Sequence, residues 1–181
     1  PTQGAARPRE KKVAVAKFTD QKIKLDGKLD EPAWQTAVAA PGFLQQDPKE
    51  GDPPSGQTEV RFLYDNDYLY VGAICHDRTP SGVVVNDISR DFETAEEDYF
   101  AVILDTFNDR RSGYYLATTG EGGEKDSQFT DEGRSNNINW DGVWFVESHR
   151  NEDGYTAEYA IPFKTVRFSR NAEQVWGLQM I

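Results

Sequence analysis

Trp140 and Trp144 are the residues whose type and spacing most directly suggest chemistry. They flank Asp141-Gly142 in the segment Asn-Trp-Asp-Gly-Val-Trp. Indole faces can stack on the C–H groups of a pyranose ring while nearby carboxylates and amides take its hydroxyl groups. A structural role also fits, because tryptophan contributes a large buried area and Trp144 follows an alternating strand pattern. The segment indicates either an aromatic ligand site or core packing.

Two arginine pairs suggest a second kind of contact. Arg90-Asp91 and Arg110-Arg111 could clamp an anionic or hydroxyl-rich ligand, since a planar guanidinium offers a fixed fork of donors. Surface ion pairing is the alternative for both. Arg90 is of more interest because an acidic run that ends at Asp98 follows it. The candidate ligand-binding residues are Trp140, Trp144, Arg90, Asp98 and Asp126.

Several turn carboxylates could hold a metal ion. Asp105, Asp109 and Asp131 supply the hard oxygen ligands that calcium prefers, although their spacing is not that of an EF-hand loop. Turn formation and solvation are the alternative explanation of the same residues, and the sequence favours it. Asp98 and Asp105 are seven residues apart on one predicted strand, so alternation sends them to opposite faces and they are separate candidates.

Catalytic constellations are poorly supported. A glycosidase needs two carboxylates across a cleft, and Glu97 with Asp98, or Glu121 with Glu124, could be nominated on proximity in sequence alone. The chain has two histidines, His76 and His149, and no Gly-x-Ser-x-Gly turn for a serine hydrolase. We therefore predict that this chain is not itself an enzyme.

Length and composition restrict the classes further. The 181 residues, 37% of them hydrophobic, suffice for one domain with a sizeable core. A net charge of -11 argues against nucleic acid as a partner, because a phosphate backbone would be repelled. A single cysteine, Cys75, excludes an internal disulfide and a zinc site built on cysteine pairs. No stretch is long and apolar enough to cross a bilayer as a helix.

Short alternating segments separated by turn residues predict an all-β chain. Such spacing is typical of an antiparallel β-sandwich of the jelly-roll or immunoglobulin-like kind. Two segments, 40–56 and 120–139, are rich in Gly and charged residues and are predicted to be loops. The predicted strands are 58–64, 68–75, 98–107, 113–119, 143–149, 155–161 and 175–181.

The two ends of the chain suggest its boundaries. We predict residues 1–17 to be a flexible leader, of the kind that remains after removal of a signal peptide, and residues 18–181 to be the sandwich. The last predicted strand stops without a turn or a polar tail, so we expect the natural sequence to continue.

Three motifs together resemble a known family. Ile23 to Trp34 predicts an opening strand, a turn at Asp26-Gly27 and a short helical turn with Pro32 near its start. With residues 139–144 and 158–163, it resembles the family 9 carbohydrate-binding modules and their DOMON-like relatives. The resemblance runs from about residue 22 to residue 181, and is closest to the branch found ahead of an outer-membrane barrel region of unknown function.

The resemblance implies a non-catalytic glycan-binding module of a bacterial envelope protein. It implies a location in the periplasm or outer membrane, a link to polysaccharide catabolism, loops braced by calcium, and a membrane barrel as partner within the full-length protein. An assembly or gating domain for that barrel, with the sugar site lost, is the alternative. Some DOMON-like domains bind haem b through Met with His or Lys, and Met180, His76 and His149 are present. Part of a glycoside hydrolase is a further alternative.

The resemblance also predicts missing sugar contacts. The family's modules place a tryptophan shortly before an Asp-Ser-Val-Glu strand and use its glutamate for a hydroxyl. Asp98-Tyr-Phe-Ala101 matches that strand, so the glutamate position is Ala101 and the tryptophan position falls near Ala95. The first hypothesis is therefore weak glycan binding by Trp140, Trp144 and the loop 120–139.

Overall fold

Alternating apolar side chains build two sheets that share one core. The computed structural model describes residues 12–45 and 49–181. Within these ranges there are two five-stranded sheets and one short α-helix. No helix in this part of the chain is long and apolar enough to span a membrane. The all-β sandwich predicted from the sequence is confirmed.

The strands have the following bounds. The first sheet has the order β1-β2-β3-β9-β8 and the second the order β10-β4-β5-β6-β7, and all pairings are antiparallel except that of β1 with β2. The helix α1 spans Pro32–Thr36. The strands are β1 (Lys17–Phe18), β2 (Thr58–Tyr64), β3 (Tyr68–His76), β4 (Tyr99–Asp105), β5 (Gly113–Thr119), β6 (Glu124–Thr130), β7 (Ser135–Asn137), β8 (Phe145–Asn151), β9 (Gly154–Pro162) and β10 (Gly177–Met180).

The inner faces of the two sheets form the main core. In the second sheet Phe100, Val102 and Leu104 point inward on β4, because residues two apart share a face. Tyr159 on β9 connects the sheets: its hydroxyl donates to the Phe100 carbonyl oxygen at 2.8 Å. Its ring stacks on that of Trp144, with centroids 5.6 Å apart. The outward residues of β4 are therefore available for contacts outside the core.

The centre of the first sheet's outer face is covered by the segment that contains α1. Trp34 is 1% exposed and packs in a cluster with Leu63, Tyr70 and Ala160. A Cβ at Gly72 on β3 would lie 2.9 Å from the Trp34 ring, so only glycine allows the indole this close to the sheet. This packing closes the middle of that face.

A buried carboxylate fixes the covering segment. Glu158 on β9 is fully buried, and its Oε2 accepts the backbone N–H groups of Asp26 and Gly27 at 3.0 and 3.2 Å. Its Oε1 accepts the indole N–H of Trp34 at 3.2 Å. Gly27 has a φ of 75° and lies against the β8 backbone, where a Cβ would come within 2.7 Å of the Ser148 carbonyl carbon. The opening motif thus forms a three-donor cradle for one carboxylate.

Most predicted strand positions are confirmed, with two corrections. The prediction of a loop over 120–139 is wrong in part, because β6 and β7 lie there. No strand forms at Ile23, where the chain is held by side-chain contacts with the sheet rather than by a ladder. The bend at Asp26-Gly27 and the helix with Pro32 at its start are present.

The predicted leader extends too far toward the sandwich. Residues 1–11 lie outside the described part of the chain. Ala14 and Ala16 already pack against the main core, and Lys17 pairs with Leu63 in β1. Three residues of the predicted leader, Ala14, Ala16 and Lys17, therefore contact the sandwich.

Glu158→Gln should destabilise the fold by about 1–3 kcal/mol, because one amide oxygen cannot accept from all three donors. Burial raises the pKa of the Glu158 carboxyl from 4.5 to about 7, and the nearby Glu31 carboxylate adds to the rise. Between these pH values the folded state binds more protons than the unfolded state, so this residue's contribution to stability falls as the pH rises.

Urea unfolding of the wild type and of Glu158→Gln at pH 5 and pH 8 measures this residue's contribution to stability. The free-energy difference between wild type and Glu158→Gln should be larger at pH 5. Glu147→Gln is the matched control, since Glu147 is the exposed cross-strand neighbour of Glu158. A difference between wild type and Glu158→Gln that does not change with pH would contradict the assigned titration.

Candidate functional site

One part of the second sheet's outer face is filled by a phenylalanine. Ala101 and Ala117, paired across β4 and β5, are fully buried beneath Phe92, which is itself 1% exposed. The Lys125 ammonium group donates a hydrogen bond to the Phe92 carbonyl oxygen at 2.6 Å. The position at which the resemblance places the family's glutamate is therefore occupied by a buried alanine under an aromatic ring. A sugar could not reach it without displacing Phe92.

Farther along β4, the same outer face opens into a cleft, which we call the sheet cleft. Its volume is about 350 Å³. Side chains from β4, β6 and β10 form its floor, and the β4–β5 turn and the turn after β6 form its rim. It is lined by Ile103, Asp105, Arg110, Arg111, Ser112, Gly113, Phe129, Glu132, Gly133 and Gln179.

The rim of the sheet cleft is held in uncommon backbone conformations. Of the five non-glycine residues with positive φ in the described ranges, four lie in its two turns: Asn108, Arg110, Asp131 and Glu132. Left-handed conformations cost L-residues roughly 1–2 kcal/mol each, less for Asn and Asp. Such strain persists where surrounding contacts fix it, and it concentrates at functional sites.

Hydrogen bonds fix these turns. Asp105 accepts the backbone N–H groups of Asp109 and Arg110 at 3.2 and 2.7 Å. Asp109 accepts that of Arg111 at 2.8 Å. The two turns are joined by the N–H of Glu132, which donates to the Arg111 carbonyl oxygen at 3.0 Å. The rim is thus formed before any ligand arrives.

The cleft combines an aromatic surface with free donors. Phe129 lines it and meets Tyr115 edge to face, with centroids 6.3 Å apart. Arg110 and Arg111 are exposed, and within residues 12–45 and 49–181 neither guanidinium has a hydrogen-bond or ion-pair partner. Gln179 adds an amide. An aromatic ring beside amide and guanidinium donors is what recognition of a hydroxylated ring requires.

Arg90 occupies a different place and is already paired. Its guanidinium bonds Glu124 at 3.2 Å, Asp126 at 2.8 Å and Asp141 at 2.5 Å. Asp126 is 2% exposed and also accepts the Trp144 indole N–H at 2.8 Å and the Gly142 N–H at 3.1 Å. Burial raises the pKa of Asp126, and these donors act against the rise. This cluster joins β6 to the segment before β8.

Four of the five predicted ligand-binding residues lie together in this cluster, where they contact one another rather than an open surface. They are Arg90, Asp126, Trp140 and Trp144. Trp144 is 4% exposed, between Asp126 and Tyr159, and presents no free face. Trp140 is half-buried, lies on the Tyr114 ring at 5.1 Å and closes over Gly142. The stacking role suggested for Trp144 is corrected to core packing because its faces are covered, whereas Trp140 stays partly exposed and its stacking role remains a prediction. Asp98 lies apart and accepts the Val84 N–H at 2.8 Å.

The candidate metal ligands are turn residues. Asp105 and Asp109 bind backbone N–H groups as described, and Asp131 begins the turn after β6. In the described ranges no group of three or more His, Cys, Asp or Glu side chains is placed to hold a metal ion. Asp98 and Asp105 lie at opposite ends of β4, so they do not form one site.

The carboxylates nominated for catalysis are individually bonded elsewhere. Glu97 accepts the Asn86 N–H and Asp98 that of Val84. Glu121 pairs with Arg150 and Glu124 with Arg90. Neither nominated pair lines the sheet cleft.

The residues considered for haem are spread over both sheets. His76 ends β3 and His149 lies on β8, whereas Met180 lies on β10. His76 lines a second cleft of about 390 Å³, with Asp77, Arg78 and residues 54–57. We call it the loop cleft and use it below as a control site.

Comparison with known proteins assigns the class. The fold is that of β-sandwich carbohydrate-binding modules: two structures of a family 9 module from Caldicellulosiruptor kristjanssonii align with it. The complex with glucose matches at a TM-score of 0.62 and 13% identity, and the complex with cellotriose at 0.59 and 12%. Each alignment covers 93% of this chain and 75% of that module. No curated protein sequence matches.

The family follows from a sequence comparison. The protein-family model described as "Carbohydrate family 9 binding domain-like" matches residues 25–181. The chain belongs to this family, and the resemblance to family 9 carbohydrate-binding modules is confirmed. Families of this kind supply binding domains, which agrees with the prediction that the chain is not itself an enzyme.

Sequence reasoning missed the floor of the sheet cleft. Phe129 lies on a strand that was predicted to be a loop, and Tyr115 lies on a predicted strand but was not singled out. The Arg110-Arg111 pair was considered as a clamp and does line the cleft. The signal available in the sequence was this pair followed closely by an alternating strand with Tyr115 on one face.

Arg90→Ala should lower the free energy of unfolding by about 1–3 kcal/mol, because it leaves the buried Asp126 carboxylate without its cation. This loss is smaller than that expected for breaking a fully buried ion pair, because Arg90 is partly exposed and water screens its charge. Chemical denaturation gives the value. Arg134→Ala is the control: its pairing with Glu132 at 2.9 Å is exposed, so a change below about 0.5 kcal/mol is expected. Equal effects of the two substitutions would show that the Arg90 cluster is not structural.

Proposed function

We propose that this chain is a non-catalytic carbohydrate-binding module and that its sugar site is the sheet cleft. The observation that carries the proposal is the rim, where four left-handed non-glycine residues and a bond between two turns hold an open cleft beside an aromatic floor. Family membership supports the sugar as ligand. The structural neighbours, in complexes with glucose and cellotriose, support it further.

The cleft has the dimensions and chemistry for one or two sugar units. Its volume of about 350 Å³ lies near the lower end of small-molecule sites, which span roughly 300–1,000 Å³. Phe129 offers apolar contact for the C–H face of a ring. Ser112, Gln179 and the guanidinium groups offer donors for hydroxyl oxygens. Weak affinity is expected, because much of the bound sugar would stay in water.

Calorimetric titration with neutral and acidic oligosaccharides, including glucose and cellotriose, tests the proposal. Phe129→Ala should weaken binding about tenfold, since the lost apolar contact contributes on the order of 1–2 kcal/mol. Trp140→Phe should bind as the wild type does, because Trp140 packs on Tyr114 rather than in the cleft.

Arg78→Ala in the loop cleft is the matched control. Loss of binding in Arg78→Ala with none in Phe129→Ala would move the site to the loop cleft. Each variant's unfolding midpoint is measured alongside, so that a folding defect is not taken for lost affinity.

Repeating the titration with a chelator tests the prediction from the sequence that calcium stabilises the loops. Calcium bound near Asp105, Asp109 or Asp131 would stiffen the same turns that form the rim. If chelator lowers both the affinity and the unfolding midpoint, the brace is established. Unchanged values would remove calcium from the proposal.

An assembly domain is the second candidate, and the β10 edge favours it. Val175, Leu178 and Ile181 are exposed apolar residues around this edge strand. In this alternative the chain packs against another part of a bacterial envelope protein, such as an outer-membrane barrel, and has no sugar site. A folded chain that binds no oligosaccharide in either cleft would select it. The module interpretation instead places the chain in envelope polysaccharide catabolism.

A further inference from the structure

We propose that the sheet cleft is selective for acidic glycans and that Arg110 and Arg111 hold a uronate carboxylate. The inference rests on the proposed function, because it names the class of sugar that the same cleft takes. It starts from the charges that line the cleft, two arginines and two carboxylates. What distinguishes them is which groups already have partners.

Both lining carboxylates are engaged. Asp105 accepts two backbone N–H groups, from Asp109 and Arg110, within the β4–β5 turn. Glu132 pairs with the guanidinium of Arg134 at 2.9 Å. These contacts offset part of each carboxylate's charge or hydrogen-bonding capacity, whereas the remaining lone pairs can still accept from sugar hydroxyls.

Both lining guanidinium groups are unengaged. In the described residues Arg110 and Arg111 make hydrogen bonds through their backbone N–H groups, and no acceptor contacts either side chain. Arg90, by contrast, has three carboxylate partners. In a chain of net charge -11, two unpaired arginines that are adjacent in sequence and line one cleft offer donors for an anion.

The geometry favours a planar anion attached to a ring. A guanidinium fork matches a carboxylate in a bidentate arrangement, which a hydroxyl group cannot reproduce. The aromatic floor requires an apolar ring face next to that carboxylate, and a hexuronic acid residue has both. The two carboxylates that line the cleft offset the two arginines in net charge, so preference for an acid would depend on the unpaired guanidinium donors rather than on the charge of the cleft as a whole.

The test compares each acidic oligosaccharide with its own neutral ester. Trimers of galacturonate, mannuronate and guluronate, and their methyl esters, are titrated calorimetrically at about 0.15 M salt, where the Debye length is about 8 Å. This screens distant carboxylates and leaves the cleft's own charges. At least one acid should bind about tenfold or more tightly than its ester, as expected for a charge-assisted contact of about 1.5 kcal/mol or more.

The variants assign that preference to residues. Arg110→Ala and Arg111→Ala should each remove most of the acid preference, because the acid loses a charge-assisted contact while the ester loses only a hydroxyl donor. Arg170→Ala, another exposed arginine with no side-chain partner among the described residues, should keep the preference. Phe129→Ala should weaken acid and ester alike. An equal loss in Arg170→Ala would mean a general charge effect and would overturn the inference.

The failure of this inference is separable from failure of the proposed function. If acid and ester bind equally and Phe129→Ala weakens both, the module binds sugars in the cleft but does not select acidic ones. If no trimer and no neutral oligosaccharide binds the folded chain, both proposals are wrong. Unfolding midpoints close to that of the wild type, as is usual for surface substitutions, confirm that the arginine variants are folded.

Discussion

The need to satisfy one buried carboxylate organises the first sheet. Glu158 lies on the outer face of a central strand, where an unpaired charge would be costly. The opening motif meets this need with two backbone N–H groups and an indole, and so brings Trp34 onto the sheet over Gly72. Polar satisfaction and apolar packing thus stabilise the same segment. Their joint result is that the middle of this face is closed to ligands.

A related arrangement divides the outer face of the second sheet. The segment around Asp91 crosses β6, with its N–H on the Glu124 carbonyl oxygen at 2.7 Å. Arg90 then reaches the carboxylates on one side of β6, while Phe92 covers Ala101 and Ala117 on the other. The ion-pair cluster around Asp126 therefore also anchors the ring that fills the family's expected contact position. What remains uncovered on this face is the sheet cleft.

The sequence predicted more of the fold than of the candidate site. β2 shows partial alternation and β5 is a short run of mostly apolar and small residues, and the predicted bounds of both are those observed. β6 was missed because its sequence, Glu-Lys-Asp-Ser-Gln-Phe-Thr, is polar, and its buried Asp126 is explained only by partners distant in sequence. The tryptophans were ambiguous for the same reason: a strand pattern does not say which face a partner covers. The cleft needs the pairing of Tyr115 with Ser127, which places Phe129 beside Arg110, and register is set by turns that composition does not specify.

Burial of Trp144 removes one stacking face for a sugar without removing the chemistry. Sugar binding requires a ring face and nearby donors. Phe129 and the Arg110-Arg111 pair supply them on the outer face of the second sheet. The retained strain supports a role for this point, since a turn selected for stability alone would favour glycine or asparagine at left-handed positions. Arg110 and Glu132 are neither, yet both are held there by hydrogen bonds, Arg110 to Asp105 within its own turn and Glu132 to Arg111 in the other turn. Side chains placed at such a cost are more readily explained by what they contact in the cleft than by the turn they form.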